Sequence, residues 1–188
     1  MKKILNASAI VLCFVLFSAC TGAKKSTVSF NDKEINWLNF EQVAKLNQEA
    51  PRKVIVEVYT DWCGWCKKMD KTTFQHPKII KYINQNYYAV RFNGEIKETV
   101  KLNDKQYKFV EVPDKRGYNE LAYEFLDGKM NYPSLVFLDE KLELIQNIAG
   151  FQKAPTLDVI LNYFASNSHT KTPWKAYEAS FQSKILEE

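Results

Sequence analysis

The order of hydrophobic and polar positions predicts alternating strands and helices in the first half of this chain. Residues 53–60 are apolar almost without interruption, which is typical of a central strand that is covered on both faces. Glu57 is the exception within that run. Residues 34–38 predict a short strand before it, and Asn39 with Gln42 has the form of a capping box that starts a helix.

Another helix-rich segment and a strand follow the central strand. Apolar spacing predicts a helix from Cys63 through Met69 that continues toward Phe74, and a further helix that begins at Pro77. Residues 88–93 predict the next strand. Strand, helix and strand joined by short links indicate a parallel β-α-β unit.

Residues 94–129 are less regular and interrupt this pattern. Short apolar segments at residues 99–102 and 106–110 flank a polar turn, which predicts a β-hairpin. Residues 118–126 show apolar positions at helical spacing, with Gly128 as a stop. We therefore expect an insertion that contains a hairpin and a helix.

The last part of the chain predicts two more strands and two helices. Residues 134–138 and 144–149 are the strands, and residues 157–164 form an amphipathic helix. After a polar stretch, Thr172 and Pro173 have the form of a cap and a first helical residue. The apolar residues spaced for one face of this final helix are Trp174, Tyr177, Phe181 and Ile185.

The N-terminus has the pattern of a targeting segment. Lys2 and Lys3 precede a mostly apolar stretch, residues 4–17, which is too short for a membrane span of about 20 residues but suits a signal peptide. Small residues before Cys20 resemble a bacterial lipoprotein box, in which that cysteine carries the lipid. Ordinary signal cleavage, for example after Ala23, is the alternative.

Cysteine counting favours the lipidated form. Cys13 leaves with the signal, so the mature chain keeps Cys20, Cys63 and Cys66. An odd free thiol is a liability in an oxidising compartment, and a lipid on Cys20 leaves one pair. The resemblance to lipoproteins implies several acyl chains, which suffice for stable anchoring.

Length and charge suit a single domain behind a short tether. About 165 residues remain after the signal, and without Lys2 and Lys3 the chain has 24 basic and 22 acidic side chains. Because no basic stripe stands out, we expect no nucleic-acid partner, and we expect no cofactor. The predicted organisation is a signal over residues 1–19, a tether over 20–33, a domain over 34–166 and a tail with a helix over 167–188.

Two cysteines three positions apart stand at the junction of the central strand and the following helix. Side chains at such positions of a helix have Cβ atoms about 5–6 Å apart, and a disulfide needs a Cβ separation of about 3.5–4.5 Å. A slight tightening of the first helical turn is therefore enough for a disulfide to form. The N–H groups and macrodipole at a helix N-terminus lower a cysteine pKa from about 8.5 to about 3.5–7.5. Cys63 and Cys66 therefore suit reversible dithiol–disulfide chemistry, with a structural disulfide or half of a zinc site as the alternative.

A complete zinc site would require His76 and His169 beside the two cysteines. That arrangement needs a long chain reversal and a residue from the distant tail. His76 precedes Pro77 and is better explained as a surface helix cap. We therefore expect no metal.

With these elements in place, the chain resembles the thioredoxin-fold family over residues 36–165. Residues 62–67 match the family's active-site turn, although thioredoxin itself has proline where Trp65 stands. Glu57, six residues before the first cysteine, matches a buried acid that is more often aspartate. The resemblance is closest to the C-terminal domain of the membrane thiol:disulfide interchange reductase and to small thioredoxin-like lipoproteins. It implies an α/β thioredoxin fold, a mixed central sheet flanked by helices, with residues 94–129 and the C-terminal helix as additions.

The resemblance implies catalytic roles for three residues. Cys63, exposed at the helix start, attacks a substrate disulfide, and Cys66, one turn deeper, resolves the mixed disulfide. Glu57 passes a proton to or from Cys66, because a carboxyl group between two apolar faces has a raised pKa. The alternative is a strand-end glutamate that reaches solvent or pairs with Lys53. Arg91 either neutralises Glu57 or is solvated, and the sequence does not distinguish the two.

Further residues are expected to bind substrate. Pro133 falls where the family has a cis-proline, so the Tyr132 backbone offers an edge for the extended chain of a substrate. Trp62 and Trp65 form a hydrophobic rim around the sulfurs, or are partly core. Gly64 completes the predicted substrate-binding set.

These patterns together predict a lipid-anchored thiol:disulfide oxidoreductase that faces the periplasm, with a soluble periplasmic form as the alternative. It is expected to reduce disulfide-bonded protein substrates and to be recharged by a membrane dithiol donor. Because the same motif runs in either direction, a disulfide oxidant or isomerase is the close alternative. A non-catalytic binding module with the same fold is the alternative from another class.

Overall fold

The computed structural model describes residues 31–183 and Ile185. A five-stranded mixed sheet forms its centre. In spatial order its strands are β1 (Trp37–Leu38), β3 (Tyr87–Asn93), β2 (Lys53–Tyr59), β8 (Ser134–Leu138) and β9 (Leu144–Ala149). Four short strands belong to the insertion, and they are β4 (Val100–Leu102), β5 (Lys105–Tyr107), β6 (Phe109–Val110) and β7 (Tyr118–Asn119).

The central strand β2 has one parallel and one antiparallel neighbour. It pairs in parallel with β3, which places Glu57 opposite Arg91, and antiparallel with β8, which places Glu57 opposite Leu135. The outer strands continue this arrangement, since β1 is parallel to β3 and β9 is antiparallel to β8. The predicted β-α-β unit and the mixed sheet are therefore confirmed.

Helices cover both faces of this sheet. They are α1 (Phe40–Glu49), α2 (Gly64–Lys71), α3 (Pro77–Asn86), α4 (Glu120–Phe125), α5 (Ala154–Ala165) and α6 (Trp174–Ser180). Short 3-10 turns lie at Thr73–Gln75 and Ser168–Thr170. Because successive residues of a strand point to opposite faces, β2 contributes to two hydrophobic clusters. Ile55 packs with α2, α3 and α5, whereas Val54 and Val56 pack with α1 and α4.

Side chains cap two of the helices as the sequence predicts. Asn39 Oδ1 accepts a hydrogen bond from the Gln42 backbone N–H at 2.8 Å, and the Gln42 side chain accepts from the Asn39 N–H at 2.9 Å. The predicted capping box of α1 is therefore confirmed. His76 Nδ1 accepts from the Lys78 backbone N–H at 3.2 Å, which confirms His76 as the cap of α3.

The insertion differs from its prediction in how its strands pair. β4 and β5 form the predicted hairpin, but its second strand ends at Tyr107, and β6 pairs with β7 instead. The strand predicted over residues 106–110 is therefore split. Gly117 allows this pairing, because a Cβ atom there would lie 2.3 Å from the Phe109 ring. As a result α4 begins two residues later than predicted, with Asn119 as its N-cap.

Two helix boundaries also differ from their predictions. α2 ends at Lys71 because Thr72 leaves helical geometry (φ −121°, ψ −79°), so a single helix that continues to Phe74 is wrong. Pro173 is the N-cap of α6 rather than its first helical residue, and Phe181 is extended and lies beyond its end. The predicted positions that pack against the cluster around Ile55 are Trp174, Tyr177 and Ile185.

The predicted anchor lies outside the described part of the chain. The signal over residues 1–19, Cys20 and the tether up to residue 30 are not among the described residues, so these assignments stay predictions. Between residues 31 and 183, no helix has the length and apolar character that crossing a membrane requires.

A buried cation stands at the start of the central strand. The Lys53 side chain is 5% exposed, and its Nζ lies 2.6 Å from Glu140 Oε1. This hydrogen bond holds the pKa of Glu140 below its usual range. The pair ties β2 to the turn between β8 and β9.

We expect Glu140→Gln to lower the free energy of unfolding by about 1–2 kcal/mol, because it leaves the Lys53 ammonium buried without its counter-charge. Breaking a fully buried pair costs about 3–5 kcal/mol, and the 45% exposure of Glu140 reduces this loss. Urea unfolding at pH 7 measures the difference. Glu143→Gln removes an exposed carboxylate from the same turn as a matched control, with an expected change below about 0.5 kcal/mol. Equal losses in the two variants would contradict this assignment.

Candidate active site

The cysteine pair stands where the central strand passes into α2. Cys63 is the N-cap of that helix, with an extended backbone (φ −72°, ψ 105°). Its Sγ accepts a hydrogen bond from the Cys66 backbone N–H at 3.0 Å. The first cysteine therefore lies where the helix macrodipole and the unpaired N–H groups stabilise a thiolate in the reduced protein.

Cys63 and Cys66 form a disulfide bond, with Cα atoms 5.3 Å apart. Both residues are buried, with only 4% and 1% of their surface exposed. The expectation that Cys63 is exposed is therefore wrong for the disulfide form. Its sulfur turns in over the first turn of α2, toward the N–H and the sulfur of Cys66, rather than out to solvent.

Glu57 is buried on the side of the sheet that carries α2. Alternate residues of a strand share a face, and Ile55 packs in one cluster with Met69 of α2. Met69 and Cys66 are the buried residues of α2, and their separation of three positions places them on one side of the helix. The fully buried Glu57 side chain therefore faces the side of α2 that carries Cys66.

Arg91 lies between Glu57 and Asp70 of α2. Arg91 on β3 places Nε 3.2 Å from Glu57 Oε2, without the alignment of a hydrogen bond. The same guanidinium binds Asp70, which lies four residues after Cys66. Burial raises the pKa of Glu57 to about 8, while the charge of Arg91 opposes this rise and Asp70 adds to it. At pH 7 the Glu57 carboxyl group is therefore mostly protonated.

These contacts decide between the alternatives for Glu57. Its side chain does not reach solvent, and Lys53 is engaged by Glu140, so a pair between Glu57 and Lys53 is wrong. Arg91, whose partner the sequence left open, pairs with Glu57 and Asp70. The proton-transfer role of Glu57 stays a prediction.

The loop before β8 carries the predicted cis-proline. The Tyr132–Pro133 peptide bond is cis, which confirms that prediction. Pro133 is buried, and its carbonyl accepts a hydrogen bond from the Gly150 N–H at 2.8 Å. Ser134 Oγ donates to the Asn131 carbonyl at 2.7 Å, which further secures the loop. The role of the Tyr132 backbone in substrate binding stays a prediction.

Two exposed tryptophans lie beside the cysteines in sequence. Trp62 is 50% and Trp65 is 58% exposed, so neither belongs to the core. The ring centre of Trp65 lies 5.6 Å from that of Phe151, and Lys68 Nζ lies 4.8 Å from the Trp65 ring centre. A Cβ atom at Gly64 would meet nothing within 4 Å, so the surface between the two tryptophans is open.

Residues of the insertion contact Trp62. The indole N–H donates to Glu95 Oε1 at 3.0 Å, and the Arg116 guanidinium carbon lies 5.0 Å from the centre of the indole. The Trp62 ring also packs edge-on against Tyr132, with ring centres 5.9 Å apart. Gly94 lies so close to Tyr132 that a Cβ atom there would be 2.6 Å from its hydroxyl oxygen. The insertion therefore contacts two residues of the predicted substrate-binding set, Trp62 and Tyr132.

The geometry gives no support to the zinc alternative. Cys63 and Cys66 are bonded to each other, and His76 caps α3. His169 packs against aromatic rings of α5, with a ring centre 5.3 Å from that of Phe164. Across residues 31–183, no group of three or more histidine, cysteine, aspartate or glutamate side chains is arranged to hold a metal ion.

A disulfide at a helix N-terminus, a buried carboxyl group behind it and a cis-proline are thus combined on one mixed sheet. A family model described as the thioredoxin-like domain matches residues 40–165, which is about two thirds of the chain. The chain belongs to the thioredoxin-like domain family. The predicted thioredoxin fold is therefore confirmed.

Curated relatives of this thioredoxin-like domain carry it as part of longer proteins. The thiol:disulfide interchange protein DsbD of Photorhabdus laumondii is 34% identical over 64 residues, which are 34% of this chain and 11% of that protein. The protein disulfide-isomerase C17H9.14c of Schizosaccharomyces pombe is 26% identical over 137 residues, which are 72% of this chain and 35% of that protein. The chain thus spans about a ninth and about a third of their lengths.

A solved structure shares the fold at low sequence identity. A thioredoxin-fold protein from Helicobacter pylori superposes with a TM-score of 0.53 at 15% identity. The match covers 68% of this chain and 83% of that one. It supports the architecture of the thioredoxin-like domain and nothing finer.

The thioredoxin-like domain therefore has a site of the thiol:disulfide oxidoreductase type, in which two cysteines stand at disulfide distance. Such a pair exists either as a disulfide or as a dithiol, and its interconversion moves two electrons. Four charged residues around the site were not predicted from the sequence: Lys68, Asp70, Glu95 and Arg116. Lys68 and Asp70 follow Cys66 by two and four positions on α2, and this closeness along the chain was their only available signal. No pattern in the insertion singled out Glu95 and Arg116.

Proposed function

We propose that this protein is a lipid-anchored reductase of protein disulfides that faces the periplasm. The observation that carries the proposal is the Cys63–Cys66 pair at the start of α2, with the buried Glu57 on the Cys66 side of the helix. The cis peptide bond before Pro133 adds support, because it follows Tyr132, whose ring packs against Trp62 next to Cys63.

The proposed reaction is an exchange of two electrons. The Cys63 thiolate attacks one sulfur of a substrate disulfide, so a mixed disulfide forms and the other substrate sulfur leaves and takes a proton. Cys66 loses its proton and attacks Cys63 Sγ, which breaks the mixed disulfide and releases the second substrate sulfur as a thiol. The substrate gains two electrons and two protons, and the protein returns to the disulfide form.

Glu57 is proposed to handle the proton of Cys66 in the second step. Because the pKa of Glu57 is about 8, both its protonated and its ionised form are populated near neutral pH. The ionised form accepts the Cys66 proton, and the protonated form returns it when the pair is reduced again. Arg91 stays paired with the ionised carboxylate and so limits the rise in its pKa.

A membrane dithiol donor is proposed to recharge the pair. The name of the Photorhabdus relative, a thiol:disulfide interchange protein, supports an exchange partner of this kind. A lipid on Cys20 would keep the domain close to such a donor, and residues 20–33 provide the tether. The name of the Schizosaccharomyces relative, a protein disulfide-isomerase, favours the alternative function of an isomerase.

The reduction potential of the pair distinguishes a reductase from an oxidant. The purified protein is equilibrated with mixtures of a dithiol and its disulfide that set a known potential. Free thiols are then alkylated and counted by mass spectrometry. We expect one two-electron transition at about −270 mV, close to thioredoxin. A value near −120 mV, as in the strong oxidant DsbA, would overturn the proposal of a reductase.

A further inference from the structure

The insertion adds a cation to the rim of the active site. Arg116 lies between β6 and β7, with its guanidinium carbon 5.0 Å from the centre of the Trp62 indole. Its side chain is 66% exposed, so a polypeptide that approaches the disulfide meets the guanidinium together with the indole. The attraction between a cation and the face of an aromatic ring is favourable, so it holds the Arg116 guanidinium over the Trp62 indole.

Glu95 engages Arg116 only loosely. Its Oε1 accepts the Trp62 indole N–H at 3.0 Å, and its Oε2 lies 3.7 Å from Arg116 Nη1. A charge-assisted hydrogen bond is about 2.7–2.9 Å long. Since a guanidinium has five N–H donors in a planar fork, Arg116 retains donors for a second carboxylate.

A second cation, Lys68, lies over the ring of the other exposed tryptophan, Trp65. Lys68 Nζ lies 4.8 Å from the Trp65 ring centre and 5.4 Å from that of Phe151. Lys68 belongs to α2 and Arg116 to the insertion, so two separate elements place a cation over the exposed aromatic rings. The nearby carboxylates have hydrogen-bond partners other than these two cations. Asp61 accepts a hydrogen bond from the Asn93 side chain at 3.2 Å, and Glu95 accepts one from the Trp62 indole N–H.

We infer that Arg116 and Lys68 determine specificity, and that they select disulfide-bonded polypeptides with carboxylate side chains close to the disulfide. The inference rests on the proposed function and names the substrate class of the same site. The exposed faces of Trp62 and Trp65 bind apolar side chains of such a segment. The two cations then bind aspartate or glutamate beside it and repel lysine or arginine.

The inference is tested with two synthetic peptides that share one disulfide and a leucine next to each cysteine. In one peptide the flanking residues are glutamate, and in the other they are lysine. Stopped-flow tryptophan fluorescence gives the second-order rate constant for oxidation of the reduced full-length protein by each peptide. Because both peptides meet the same thiolate, the ratio of their rate constants cancels any change in the chemistry of the cysteines.

We expect the wild-type protein to prefer the glutamate peptide by at least about threefold, since an exposed ion pair contributes roughly 1.5- to 5-fold. Arg116→Ala with Lys68→Ala is expected to bring the ratio close to one, and Arg116→Glu is expected to lower it further. Arg116→Lys should keep most of the preference. Salt at about 0.5 M should weaken the wild-type preference, because it screens exposed charges.

Lys101→Ala is the matched control, because it removes an exposed cation from the hairpin of the same insertion. Its ratio should equal that of the wild type. Equal rates for both peptides with the wild type, or an unchanged ratio in the double variant, would overturn the inference and leave the oxidoreductase function standing. If the reduced wild type reacts with neither peptide, the proposed function itself fails, and the inference fails with it.

Discussion

A Cys66→Ser variant is expected to accumulate a mixed disulfide with a protein substrate through Cys63, whereas the wild type accumulates almost none. Cys63 at the N-cap of α2 still forms the thiolate, but the serine hydroxyl cannot attack its sulfur and release the substrate. After reduction and removal of the reductant, the variant is mixed with insulin and analysed by non-reducing electrophoresis and peptide mass spectrometry. Most of the variant should carry the adduct at equimolar insulin.

The reciprocal variant Cys63→Ser is the control for this experiment. It keeps Cys66 but loses the thiol at the helix N-terminus, so its active site should form no stable adduct at neutral pH. Its turnover of a disulfide substrate should fall at least about 1,000-fold, since loss of the nucleophile costs a covalent enzyme on the order of 10⁶ in kcat. Adducts of equal yield in both variants would contradict the assignment of Cys63 as the attacking residue.

The disulfide form is expected to lose stability as the pH rises from about 4.5 to about 8, because of Glu57. Burial raises the pKa of this carboxyl group from 4.5 to about 8 in the folded chain. Between these values the unfolded chain ionises Glu57 while the folded chain holds its proton, so rising pH favours unfolding. A shift of this size corresponds to roughly 3–5 kcal/mol, fully present below pH 4.5 and lost by pH 8.

Chemical unfolding of the wild type and of Glu57→Gln between pH 4 and pH 9 measures this contribution. The neutral glutamine keeps the size of the side chain, so the variant should lack this part of the pH dependence and exceed the wild type in stability at pH 9. Glu41→Gln replaces an exposed carboxylate of α1 and should follow the wild-type curve. A constant difference between wild type and Glu57→Gln at every pH would show that Glu57 does not hold a proton in the folded chain.

The central sheet and the cysteine pair were accessible from the sequence because both depend on local patterns. The unbroken apolar run of β2 predicts burial on both faces, and the helices before and after it carry apolar residues at helical spacing. The one acidic residue in that run, Glu57, stands out for the same reason. Its burial and its raised pKa follow once the strand is known to be central.

The insertion and the charges around the site were less accessible because they depend on distant partners. The pairing of β6 with β7 requires the close approach at Gly117, which no apolar periodicity encodes. Glu95 and Arg116 look like ordinary surface charges until the fold brings them to Trp62. The buried state of Cys63 was also missed, because spacing along the chain does not show that its sulfur turns inward over α2.

Reduction of insulin by the wild-type protein with a dithiol donor tests the central claim most directly, because it requires the whole relay through Cys63 and Cys66. The assay follows precipitation of the released insulin B chain at pH 7 over a range of protein concentrations. We predict that the initial rate rises in proportion to the concentration of the wild-type protein, and that Cys63→Ser gives no more than the rate of the donor alone. A wild-type rate equal to that of the donor alone, under conditions where thioredoxin is active, would contradict the assignment of this site as a thiol:disulfide oxidoreductase.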